Sequence, residues 1–212
     1  MCSRQFSRRA RGVTLIELIL FMVIMGVAAA GIIGVINLSN KSSAEPLRRK
    51  QALMIAEALM EEVQLARFTF CDPGDPNAAS AASQAACTTP VRVGGRANGA
   101  ARPYGNVAEY ALVAGQPAFT FAVNNVDVDI SGNRLGVDGT GATMGNASLA
   151  PIRSTVTLNF VTGLGPAGAA SITSSAGALN ALQITITTTY GGANEFVRLD
   201  AYRTRYAPNV LP

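Results

Sequence analysis

RGVTLIELILFMVIMGVAAAGIIGVI, Arg11–Ile36, is the stretch on which the reading of the whole chain turns. From Leu18 to Ile36 every residue is apolar or glycine. At a helical rise this run spans about 28 Å, close to the hydrocarbon thickness of a bilayer. Residues 13–36 therefore read as a transmembrane helix. One acid, Glu17, lies inside it. A carboxylate in such a span costs roughly 2.5–3.5 kcal/mol at the helix centre, and less near an end, so it calls for a counter-charge. Gly26, Gly31 and Gly34 provide small surfaces where helices can approach closely. Ala28-Ala29-Ala30 imitates a signal-peptidase site, but the apolar run continues past it to Ile36, which favours a retained helix.

Upstream, Arg4, Arg8, Arg9 and Arg11 precede Gly12 with no acid among them. Basic residues beside a span stay on the cytoplasmic side, so residues 37–212 are expected to face the periplasm or the cell exterior. The net charge of +4 belongs entirely to this segment: beyond Gly12, 17 − 4 leaves 13 basic residues against 13 acidic ones. A neutral body has no electrostatic footprint for nucleic acid, and none is expected as a partner. Cys2 sits in the basic segment with no apolar stretch before it, which argues against a lipoprotein.

Downstream, Ser39, Asn40, Ser42, Ser43 and Pro46 mark an expected break in the helix, with Pro46 suited to the first turn of a new one. Over 47–68 the positions Leu53, Ala56, Leu59, Met60 and Val63 recur at spacings of three and four, while Glu57, Glu61 and Glu62 lie largely off that stripe. An amphipathic helix follows, with one face for a globular domain. Residues 71–105 show no strong periodicity and read as a long loop. Beyond it, short β-branched and aromatic runs at 107–113, 119–123, 126–130, 152–161, 182–190 and 196–206 are separated by glycine-rich turns. Residues 131–150 read as a loop. The expected fold class is α+β: a long N-terminal helix, one half transmembrane and one half amphipathic, laid on an antiparallel sheet. The domain plan is 1–12 leader, 13–36 assembly helix, 37–68 linker and amphipathic helix, and 69–212 a β-rich domain.

Histidine is absent, which removes the commonest general base and metal ligand and excludes Ser-His-Asp and Cys-His sites. No nucleophile motif and no cofactor signature is present, so an anchored enzyme is disfavoured. Cys71 and Cys87 form an even pair in the loop. An oxidising compartment would join them, and the alternative is two free thiols. Asp127, Asp129, Ser131, Gly132 and Asp138 have the first, third, fifth, sixth and twelfth spacing of a calcium loop. Flanking helices are not predicted, the last ligand is Asp, and Val126, Val128 and Ile130 explain the stretch as a strand entering a turn. Strand and turn is the reading adopted.

The basic segment, Gly12-Val13-Thr14-Leu15-Ile16-Glu17 and the apolar run together resemble the class III signal of type IV prepilins and pseudopilins. The resemblance implies cleavage between Gly12 and Val13, N-methylation of Val13, and a role for Glu17 in subunit assembly. It implies as partners a prepilin peptidase/methyltransferase, other pilin or pseudopilin subunits and the inner membrane. This chain has Val13 where the family often has phenylalanine. Glu45-Pro46-Leu47, Phe68-Thr69-Phe70-Cys71-Asp72, Tyr104-Gly105-Asn106-Val107-Ala108-Glu109-Tyr110 and Tyr202-Arg203-Thr204-Arg205-Tyr206 also look like the D-type minor prepilins of the mannose-sensitive haemagglutinin pilus. That resemblance implies a low-abundance subunit that initiates assembly or sits near a pilus tip. The neighbouring readings are a minor pseudopilin of a type II secretion system and a tip-located binding subunit using the loops at 71–105 and 131–150.

Overall fold

The computed structural model describes residues 14–96, 100–142, 151–168, 171–192 and 194–205, with the backbone alone over 37–45. Helix α1 spans Leu15–Leu65, with Pro46 inside it. Strands β1 (Ala122–Val123), β2 (Val126–Asp127), β3 (Arg153–Phe160), β4 (Ala181–Thr189) and β5 (Phe196–Thr204) follow. The result is an apolar N-terminal helix followed by antiparallel sheet, an α+β, type IV pilin-like fold. By contacts the chain divides into two units, Met1–Glu45 and Pro46–Pro212.

The break expected over 37–46 is replaced by helical backbone. A proline inside a helix costs about 3 kcal/mol, and serine and asparagine cost well under 1 kcal/mol each. Joining two helices that already exist needs no new nucleus, which offsets part of that cost.

In the first unit, Leu15–Ile36 forms a 22-residue helical stretch long and apolar enough to cross a membrane. It is exposed along its whole length, with Leu15, Ile16, Val27 and Val35 among the barest side chains.

In the second unit, the later part of α1 buries Ala52, Ala56, Leu59, Met60, Val63 and Ala66. Their spacings of three and four keep them on one side of the helix. Ala56, Leu59, Met60, Val63 and Ala66 share the main core with Val156 and Leu158 of β3 and with Leu182, Ile184 and Ile186 of β4, while Ala52 packs with Ile152 and Tyr190. Each such aliphatic side chain, fully buried, contributes roughly 1.5–3 kcal/mol. Four of the five positions expected on the stripe, Ala56, Leu59, Met60 and Val63, are buried, while Leu53 remains 37% exposed and Ala52 is buried in its place.

The sheet is a meander of order β3-β4-β5, antiparallel throughout. Val156 faces Ile186 and Leu158 faces Ile184 across one pair. Ile186 faces Leu199 and Ile184 faces Ala201 across the other. The period-two alternation puts Ser154, Val156 and Leu158 on the buried face of β3. β1 and β2 form a separate two-stranded hairpin. Its turn residues Asn124 and Asn125 both have positive φ, 50° and 62°, as a type I′ turn requires and asparagine tolerates. The expected runs at 119–123 and 126–130 thus contract to two residues each around that turn.

The run 107–113 is not a strand. Val107–Tyr110 is a 3-10 turn closed by a capping box: the Asn106 side chain accepts from the Ala108 amide, and Glu109 reaches back to the Asn106 amide. Two local hydrogen bonds outweigh the β preference of Val107 and Tyr110.

Candidate assembly interface

The first turn of α1 starts at Thr14, whose carbonyl accepts from the amides of Glu17 (3.1 Å) and Leu18 (3.2 Å). Glu17 lies in that turn and is exposed. A carboxylate there meets the positive end of the helix dipole, a gain of about 0.3–1 kcal/mol. The Thr14-x-x-Glu17 spacing is also that of a capping box, a local role the sequence pattern offers beside assembly. Among the described residues Glu17 makes no ion pair. Its flanks, Leu15, Ile16, Leu18 and Ile19, are exposed apolar side chains. The site is thus one carboxylate on an otherwise apolar, uncovered helix surface. Gly12 and Val13 lie outside the described residues.

Residues 7–33 match the model for the prokaryotic N-terminal methylation motif. The match supports a type IV prepilin or pseudopilin. It covers Arg8, Arg9, Arg11, Gly12, Val13, Glu17 and most of the exposed apolar stretch, and it implies processing by a prepilin peptidase and assembly with other pilin-type subunits. Pilins of this family are structural proteins. The motif and the one helix among the described residues that is long and apolar enough to cross a membrane together support a membrane-anchored subunit. Comparison with curated proteins and with solved structures gives no match.

In the domain that follows, Cys71 and Cys87 are disulfide-bonded, with Cα atoms 5.3 Å apart. The loop they close is further pinned by Asp75, which is buried and whose carboxylate accepts from the amides of Asn77 (2.8 Å) and Thr89. These amides hold its carboxyl below the usual carboxylate range, Thr89 most strongly. Val91 donates to the Phe70 carbonyl at 2.8 Å, tying the loop's two ends together.

The acids of the calcium-like stretch are each engaged elsewhere. Asp127 is 1% exposed and accepts from the Ser154 amide and from Arg153 Nε at 3.3 Å. Burial, only partly offset by these donors, pushes its carboxyl above the usual value. Asp129 accepts from the amides of Ser131 and Asn133, both at 2.8 Å, and from Asn133 Nδ2. Asp138 accepts from the Thr140 and Ala142 amides. Among the described residues no group of three or more His, Cys, Asp or Glu side chains is placed to hold a metal. Asp127 fastens the hairpin to β3, and Asp129 and Asp138 close turns.

Sequence reasoning missed Glu62. Placed off the apolar stripe, it is drawn into the domain: its Oε1 accepts from Arg102 Nε (2.9 Å) and Tyr110 Oη (3.0 Å), and its Oε2 accepts from Arg102 Nη2. Arg102 Nη1 also donates to the carbonyls of Phe121 (3.1 Å) and Val128 (2.8 Å). Burial, and then the Glu62 carboxylate, raise the Tyr110 hydroxyl well above its usual pKa. One buried cluster thereby ties α1, the 102–110 segment and the β1–β2 hairpin together. Nothing in the sequence singles out Arg102 as its partner, since Arg92 and Arg96 precede it in the same loop.

Proposed function

We propose that this chain is a minor pilin-like structural subunit, not an enzyme, of a type IV pilus of the mannose-sensitive haemagglutinin type. The observation that carries this reading is the methylation motif at 7–33 overlying an exposed apolar helix whose only acid is Glu17. On this reading the peptidase cuts between Gly12 and Val13 and methylates the new amine, which keeps its positive charge. Glu17 of one subunit then pairs with the Val13 amine of a neighbour. The ion pair fixes axial register while the apolar helices supply contact area.

The same helix first anchors the subunit in the inner membrane, with residues 1–12 cytoplasmic and the domain after the span periplasmic, as the arginines before Gly12 favour. Transfer to a filament core exchanges one apolar environment for another, so extraction from lipid is feasible. The pilus type rests on the short motifs at 45–47, 68–72, 104–110 and 202–206. The test is Glu17→Ala. Membrane insertion should be retained and incorporation into filaments impaired. Normal incorporation would remove the register role.

A further inference from the structure

β5 is the outer strand of its sheet, paired with β4 alone. The bonds flanking the pair, Tyr190 N to Glu195 O and Arg205 N to Asn180 O, set which residues face β4. Odd-numbered residues of β5 turn their amides and carbonyls toward β4, because hydrogen-bonded and non-bonded pairs alternate in an antiparallel ladder. The other edge agrees: Val156 of β3 exchanges both backbone bonds with Ala118, on the side away from β4. The amides and carbonyls of Phe196, Arg198, Asp200, Tyr202 and Thr204 therefore point off the sheet. Among the described residues none of them has a backbone partner. The side chains of these five residues are all exposed, Phe196 at 48% and Tyr202 at 56%.

A bare nine-residue strand edge is a template for another strand. The order of its exposed side chains specifies which one. Read along the strand they run aromatic, Arg, Asp, aromatic, symmetric about Leu199 in position and opposite in charge. A second copy laid antiparallel about Leu199 sets Phe196 opposite Tyr202 and Arg198 opposite Asp200, each pair occurring twice. Facing side chains in such a ladder lie about 4.5–5.5 Å apart, and aromatic pairs and opposite charges there are both favourable. The neighbouring register, centred on Asp200, would set the two Asp200 side chains against each other and is disfavoured. Within one chain Arg198 Nε already holds Asp200 Oδ2 at 2.9 Å, so both charges are oriented on the open face.

We propose that β5 is a homodimerisation edge: two copies of this chain pair antiparallel through Phe196–Thr204, with the register set by reciprocal Arg198–Asp200 contacts. The proposal does not depend on processing or on filament entry.

The test uses the full chain in detergent, followed by sedimentation equilibrium. Wild type should reach twice the monomer mass. Arg198→Asp and Asp200→Arg should each weaken self-association by about tenfold or more, because like charges then face each other twice. An equimolar mixture of the two variants should regain the dimer. The first variant presents two acids at these positions and the second two bases, so both facing pairs become complementary between chains, although the pair within each chain stays broken. Unchanged far-ultraviolet dichroism confirms that both variants fold. A monomeric wild type, single variants that associate like wild type through the apolar helix, or a mixture no tighter than its components would each overturn the proposal.

Discussion

Glu62 and Arg102 form a two-point ion pair across forty residues of chain, with each side chain only 9% exposed. The pair joins the amphipathic part of α1 to the loop that carries Tyr104, Gly105 and Asn106. Its strength lies in completeness: Arg102 also satisfies two backbone carbonyls, and Tyr110 donates to the same carboxylate. Buried charge so fully paired is expensive to break and cheap to replace as a unit.

Glu62→Ala should therefore destabilise the domain by about 3–5 kcal/mol, because it leaves the guanidinium buried without a counter-charge. Glu62→Leu combined with Arg102→Met should cost far less. Urea titration followed by dichroism compares the two. Equal losses would show that the cluster acts by packing and not by charge pairing.

Much of this architecture is legible in the sequence, and the legible parts share a physical cause. Runs such as Val156-Thr157-Leu158 and Ile184-Thr185-Ile186-Thr187 alternate with period two because one sheet face is buried and the other wet. The expected 152–161 and 182–190 therefore fall within two residues of β3 and β4. The apolar span is legible for the same reason: its composition is its environment. What escapes is set by partners distant in sequence or by competing local bonds. Val107–Tyr110 has strand-forming residues, but Asn106 and Glu109 claim the backbone amides first. Glu62 carries no mark of its partner, forty residues away. Ala52 is buried in place of Leu53 because Ile152 and Tyr190 pack against it.

The disulfide gives a second check. The chain-entropy model assigns a loop of separation 16 about 3 kcal/mol of stabilisation. Cys87→Ser, or reductant added to wild type, should lower the thermal midpoint accordingly. A midpoint insensitive to reductant would mean that the loop is held by the Asp75 bonds and the Phe70–Val91 contact alone.

Asp75 predicts an acid-sensitive loop. Its carboxyl pKa is depressed in the folded domain, so its contribution is present above the unfolded value near 3.8 and is lost as pH falls through the lower folded value. Asp75→Asn should be less stable than wild type at pH 7, with the gap narrowing below about pH 4. Thermal midpoints of both proteins across about pH 2–7 measure it. A gap that stays constant with pH would remove the charge from the explanation.

The account rests on the N-terminus, and mass spectrometry of the protein recovered from host filaments tests it most directly. The expected species begins at Val13 and carries one additional methyl group. A chain that retains residues 1–12 in the fibre, or a mature start elsewhere such as after Ala30, would contradict it.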